Sequence, residues 1–90
     1  MRCHFDPAES RIVRRKHGIG LDEAAQVFDQ AHLVDRRRDI PEQFRAIGWC
    51  GSQLCSVIFE VRQDADGEYN HLVTAWQATR EEEEVYAENI

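Results

Sequence analysis

Apolar positions follow two different periods along this chain. Up to about residue 28 they recur at helical spacing, and beyond residue 32 they alternate or run together as strands do. Asp6-Pro7-Ala8-Glu9 opens the first helix. Asp6 fits the cap, Pro7 fits the first helical position, and Glu9 sits three residues after the cap. Ile12 and Val13 are its expected buried side, while Arg11, Arg14, Arg15 and Lys16 face water. Gly18 stops the helix, with Lys16 and His17 at the negative end of its dipole. After the short link Gly18-Ile19-Gly20, the positions Leu21, Ala24, Ala25, Val27 and Phe28 predict a second helix from about Leu21 to Phe28. Met1 to Phe5 is short and mixed, and fits an edge strand.

The later half reads as strands. His32 to Arg37 predicts a polar one, and the stretch Arg37 to Pro41 breaks it. Phe44, Ala46, Ile47 and Gly48 predict the next, with a turn at Cys50-Gly51-Ser52. Leu54 to Val61 is rich in β-branched and aromatic residues and is the clearest strand of all. Asp64-Ala65-Asp66-Gly67 signals a hairpin turn, and Tyr69 to Trp76 is the returning strand. Thr79 caps a last helix, Glu82 stands at the reciprocal position, and Val85 and Tyr86 are its apolar contacts. The expected order is β-α-α-β-β-β-β-α. Sequential strands joined by short turns are most simply antiparallel neighbours. The expectation is therefore a single α+β domain over residues 1–90, with the two N-terminal helices on one face of an antiparallel sheet.

Composition is that of a globular chain, with 42% hydrophobic and 31% charged residues. No apolar run approaches a membrane span, and the opening MRCHFDPAES carries no apolar signal stretch. Cys3, Cys50 and Cys55 are an odd number without a paired framework, which fits a reducing compartment. A cytoplasmic location is expected on these grounds. The formal charge of −6 is concentrated in the second half. Residues 1–45 hold nine basic and eight acidic side chains, and residues 46–90 hold two and nine. An acidic domain is a poor general nucleic-acid binder, so any such surface must be a local basic face built largely from the first half.

No metal site is expected, because the cysteines and histidines do not fall in ligand pairs. Gly18-Ile19-Gly20 lacks the lysine and the preceding strand of a phosphate loop. The remaining candidates are basic and aromatic. Lys16 and His17 either cap a helix dipole or supply a phosphate-binding or proton-transfer group. Arg36, Arg37 and Arg38 form either a solvated turn or a contact to RNA or a partner. Arg62 ends the central strand, and His71 and Trp76 lie on the next. Five residues apart on a regular strand, His71 and Trp76 point to opposite faces unless a bulge lies between them. Trp76 has core packing and base stacking as its two readings.

Taken in order, these segments resemble the BrnT toxin family of bacterial type II toxin–antitoxin systems. Phe5-Asp6-Pro7-Ala8 is similar to the family's aromatic-Asp-Pro start, and Lys16-His17-Gly18-Ile19 matches its Lys-His-Gly-hydrophobic signature. Glu23-Ala24, Val27-Phe28-Asp29, Glu42 to Gly48, Leu54 to Arg62, and Ala75, Ala78, Thr79, Glu82 and Tyr86 resemble successive later pieces. The resemblance implies a fold like that of the RelE-type ribonucleases and metal-independent RNA cleavage that inhibits translation, with no cofactor. It also implies a BrnA-type antitoxin that neutralises the toxin and carries the complex to operator DNA. In that scheme Lys16, His17, Arg45, Arg62 and His71 are the candidate catalytic residues. A histidine takes the ribose 2′-hydroxyl proton and the cations hold the phosphate.

The chain departs from the family pattern at particular positions. Gln43 stands where the family usually has Arg, with Arg45 two residues on. His71, Trp76 and Gln77 stand at three positions that are basic in the family, and the last helix carries Glu81 to Glu84. Two classes of function follow. One is a ribonuclease toxin. The other is a binding module that keeps the fold and the partner surface with catalysis weakened.

Overall fold

A computed structural model describes residues 1–90 as a five-stranded sheet with helices on both faces. Strand β1 (Cys3–His4) leads to helix α1 (Pro7–His17), then a short α2 (Leu21–Ala24) that continues as a 3-10 turn over Ala25–Asp29. Strands β2 (His32–Arg38), β3 (Gln43–Cys50), β4 (Gln53–Asp64) and β5 (Gly67–Gln77) follow, and α3 (Arg80–Asn89) closes the chain. The sheet order is β1-β5-β4-β3-β2. No helix is long and apolar enough to cross a membrane.

The α+β architecture and the element order agree with expectation. The sheet is antiparallel from β2 to β5, while β1 departs from that pattern by joining the far edge parallel to β5, with Cys3 opposite Asn70 and His4 opposite His71. The two helices between β1 and the other strands carry the chain across the sheet, so β1 can lie parallel to its neighbour.

Local chemistry explains the helices. Asp6 accepts the Ala8 N–H at 2.9 Å, and Gly18 at φ 78° takes the left-handed turn that ends α1. The buried side of α1 is Ser10 and Val13, whereas Ile12 stays half exposed. Ser10 serves the fold, because its hydroxyl accepts the Leu21 N–H at 2.9 Å and ties α1 to α2. The expected second helix is not continuous. It tightens after Ala24, because Leu21, Ala24 and Val27 are three apart and all fully buried, the period of a 3-10 turn. Gly48 lets that turn lie close on β3. A Cβ there would meet Val27 at 2.9 Å and His32 at 3.0 Å.

The core lies between these helices and one face of the sheet. Val13, Ile19, Leu21, Ala24 and Val27 pack on Ala46, Val57, Phe59, Leu72 and Ala75. Cys50 and Cys55 belong to the same core, with their sulfurs 3.2 Å apart, and Cys3 packs against it from β1. The thiols therefore face away from the opposite side of the sheet.

Candidate functional site

The second face of the sheet gathers most of the polar residues singled out above. Its composition follows from one irregularity in β5. The β4–β5 ladder pairs Ile58 with Thr74 and Phe59 with Leu72, which leaves Val73 without a partner. This bulge interrupts the two-residue alternation. Leu72 and Ala75 both turn into the core, and His71, Thr74 and Trp76 all turn to the other face. The opposite-face expectation for His71 and Trp76 on a regular strand is thereby corrected.

His71 stands opposite Glu60, and Tyr69 stands opposite Arg62. Directly opposed residues share a face. Arg62 donates from Nη2 and Nε to Glu60 Oε1 at 2.7 and 3.2 Å. Gln43 Nε2 donates to the other oxygen, Oε2, at 2.8 Å. The Gln43 bond and then the Arg62 bonds hold the Glu60 carboxyl below its ordinary range. His71 is pulled the other way. Burial first and the Arg62 guanidinium second keep its imidazole below the usual value, against the smaller upward pull of Glu60. The neutral imidazole is thus favoured at His71, next to a fixed carboxylate and a fixed guanidinium.

The edge strand β1 completes this end of the face. His4 is in register with His71, and its ring stacks on Tyr69 with centroids 4.2 Å apart. Arg2 lies over the same phenol at 5.5 Å and is held by both Asp64 oxygens, at 2.9 and 3.1 Å. Sequence reasoning misses His4, Glu60 and Tyr69. Glu60 and Arg62 alternate on a strand, which is a visible sign of one shared face, but the partnership of His4 with β5 is not local in sequence.

The other end of the face lies under α3. Thr79 and Glu82 make the expected reciprocal cap: Glu82 N–H donates to Thr79 at 3.2 Å, and Thr79 N–H donates to Glu82 Oε1 at 2.9 Å. Glu82 is also buried and reaches the sheet. Its Oε1 accepts the Trp76 indole N–H at 2.9 Å, and its Oε2 accepts Arg45 Nη1 at 3.2 Å. Asp35 binds the remaining side of the Arg45 guanidinium through Nε, at 3.0 Å, and Nη2. A cleft of about 450 Å³ opens beside this cluster, between Arg37, Trp76 and the first turns of α3. Arg37 lies outside the regular β2–β3 pairing, which passes from Arg36 with Phe44 to Arg38 with Gln43. Its guanidinium sits 5.7 Å from the Trp76 ring centre.

The remaining candidates are spread more widely. Lys16 and His17 are exposed at the end of α1, and the His17 ring lies 6.5 Å from that of Trp76. His17 is therefore near the α3 end of the face, away from His71. Arg36 pairs with Glu42 at 2.7 Å and lies over Phe44, on the core side of the ladder. Arg38 is exposed on β2. The structure thus brings Arg62 and His71 together at one end, and Arg37, Arg45, Trp76 and His17 at the other.

Comparison with known proteins adds nothing to this geometry: no family model and no curated protein matches the chain.

Proposed function

We propose that this protein is a metal-independent endoribonuclease of the toxin type, acting on RNA at the face built by β4 and β5. The observation that carries this is the Val73 bulge, which turns His71, and Tyr69 with it, onto the same side as Glu60 and Arg62. A neutral imidazole can take the proton of a ribose 2′-hydroxyl, and such a base is worth about 10²–10⁴ in rate. Glu60 stands opposite His71 in the ladder and would stabilise the imidazolium that results. Arg62, held by Glu60, would face the charge that builds on phosphorus, a contribution of about 10²–10³ for one well-placed donor. The 2′-hydroxyl requirement makes RNA the substrate and leaves DNA uncut. Trp76 and Arg37 offer a base-stacking position at the far end of the same face.

The resemblance to BrnT toxins supplies the setting. We assign the chain a cytoplasmic site of action on RNA, both free and ribosome-associated, and a BrnA-type antitoxin as the partner that silences it and alone contacts operator DNA.

One observation favours a second reading, a toxin-derived binding module with weakened catalysis. Arg36, Arg45 and Arg62 are each paired to carboxylates of the chain itself. Paired cations draw a polyanion less strongly than free ones.

Expression of the chain alone, and together with the antitoxin assigned above, separates the two. The ribonuclease predicts growth arrest and cut RNA only when the chain is made alone. Soluble chain with intact RNA and normal growth would leave the binding module.

A further inference from the structure

The face that carries His71 holds a second imidazole that neither the sequence motifs nor the family resemblance marks. His4 lies directly opposite His71 across the parallel β1–β5 pairing, on the same side of the sheet. Neighbouring strands are about 4.8 Å apart, so the two rings rise side by side over one small area. His4 is exposed, and its ring is set in place by stacking on Tyr69 at 4.2 Å. That phenol ring is held from below by Tyr69's place in the ladder opposite Arg62, and Arg2 covers it at 5.5 Å. Stacking on that ring favours one orientation of the imidazole.

Cleavage of an RNA strand by its own 2′-hydroxyl needs two proton transfers. One proton must leave the 2′-oxygen, and one must reach the 5′-oxygen that departs. His71 has a carboxylate opposite it and a guanidinium diagonal to it, the surroundings of a base that becomes charged. The remaining nitrogen groups on this end of the face are the Arg62 and Arg2 guanidinium groups and the Gln43 amide, none of which gives up a proton near pH 7. His4 is the group left for the second transfer.

We propose that His4 is the proton donor to the leaving 5′-oxygen. This role presupposes the ribonuclease activity proposed above. In the step, the 2′-oxygen forms a bond to phosphorus as His71 takes its proton. The bond from phosphorus to the 5′-oxygen breaks as the His4 imidazolium gives its proton to that oxygen. The products are a 2′,3′-cyclic phosphate and a free 5′-hydroxyl, with His71 protonated and His4 neutral. Exchange of one proton with water restores each ring, so no metal, oxidant or further reactant enters.

A change of leaving group tests this. The purified chain is assayed on a diribonucleotide and on uridine 3′-(4-nitrophenyl phosphate), whose nitrophenolate departs without a proton. His4→Ala and His4→Phe, the second keeping an aromatic ring on Tyr69, should each lose about 100-fold or more on the diribonucleotide. Their loss on the aryl ester should be smaller by a similar factor, whereas His71→Ala should lose heavily on both. Equal losses on the two substrates, or a His4→Phe chain as active as wild type on the diribonucleotide, would overturn the role of His4 while leaving the ribonuclease intact. A folded wild-type chain that cuts neither substrate would overturn the ribonuclease and this assignment with it.

Discussion

His71 and Trp76 stand five residues apart on β5 and rise from the same face of the sheet, because Val73 between them pairs with nothing. An odd separation on a regular strand would divide them between core and surface. The bulge places both on the outer face and sends Leu72 and Ala75 together into the core. At the five-residue spacing of this chain, the proposed site needs that kink to hold both side chains on one face.

Deletion of Val73 follows directly from the register. Without it Leu72 and Ala75 become two apart, so a regular strand keeps both in the core and keeps His71 with Trp76 outside. The deleted chain should remain folded, with a stability loss of no more than about 2 kcal/mol. Insertion of a second residue beside Val73 should do more harm, since pairing must then absorb two extra residues. Urea unfolding followed by tryptophan fluorescence checks both. A deletion that unfolds the chain would show that Val73 is not the surplus residue.

The titration of His71 is a second test and needs no activity. Burial lowers its proton affinity most, then Arg62, with His4 adding to the effect and Glu60 and Asp6 opposing it. Its ring protons in NMR should titrate with a midpoint below the ordinary histidine value of about 6.5. Arg62→Gln removes the largest charge acting on the ring, so the midpoint should rise while cleavage falls by about 10²–10³. An unchanged midpoint in Arg62→Gln would separate the two residues.

Glu82 should contribute to acid stability. Burial opposes its ionisation, but the Thr79 N–H, the Trp76 indole and Arg45 together hold the folded carboxyl below its ordinary range. A folded pKa below the unfolded one means that the unfolded chain takes the proton first as pH falls. The stabilisation is complete above the ordinary carboxyl value of about 4.3 and is lost as pH drops through the folded value. Glu82→Gln should therefore flatten part of the loss of stability below about pH 4.3. Glu82→Ala, which strands the buried ends of Trp76 and Arg45, should cost about 2–3 kcal/mol at pH 7. Melting temperature against pH for the three chains is the measurement, and identical acid slopes would contradict the assignment.

Much of the fold is legible in the residues because its signals are local. The Asp6 cap, the Gly18 stop, the Thr79–Glu82 box and the Asp64–Gly67 turn each depend on neighbours within a few positions. The continuous apolar run of β4 marks the centre of the sheet in the same way. What stays hidden depends on distant pairing. A strand of two residues joining β5 in parallel, and a bulge set by how β5 meets β4, leave no mark in periodicity. The site divides along the same line. Arg62 and His71 are visible as residue types, whereas His4 becomes a neighbour of His71 only once β1 is laid on β5. Arg45 is visible too, but its burial between Asp35 and Glu82 joins three separate elements.

Gln43 offers a gain-of-function test. It donates to Glu60 on the face proposed to hold the phosphate, at a position where the proposed toxin assignment expects Arg. Gln43→Arg adds a cation beside Glu60 and frees Arg62 to face the substrate. Cleavage should rise by about tenfold, a part of the 10²–10³ that one lost donor costs. A drop in rate would mean that Arg62 works only when Glu60 holds it.

Whether the His71 face cuts RNA without a metal is read from the initial rate of cleavage of a single-stranded oligoribonucleotide by the purified chain in a metal chelator, for wild type and for His71→Ala. Wild type should give products ending in a 2′,3′-cyclic phosphate, and His71→Ala should lose about 10²–10⁴ in rate. Equal rates from the two folded proteins, or no cleavage by either, would contradict the proposed chemistry.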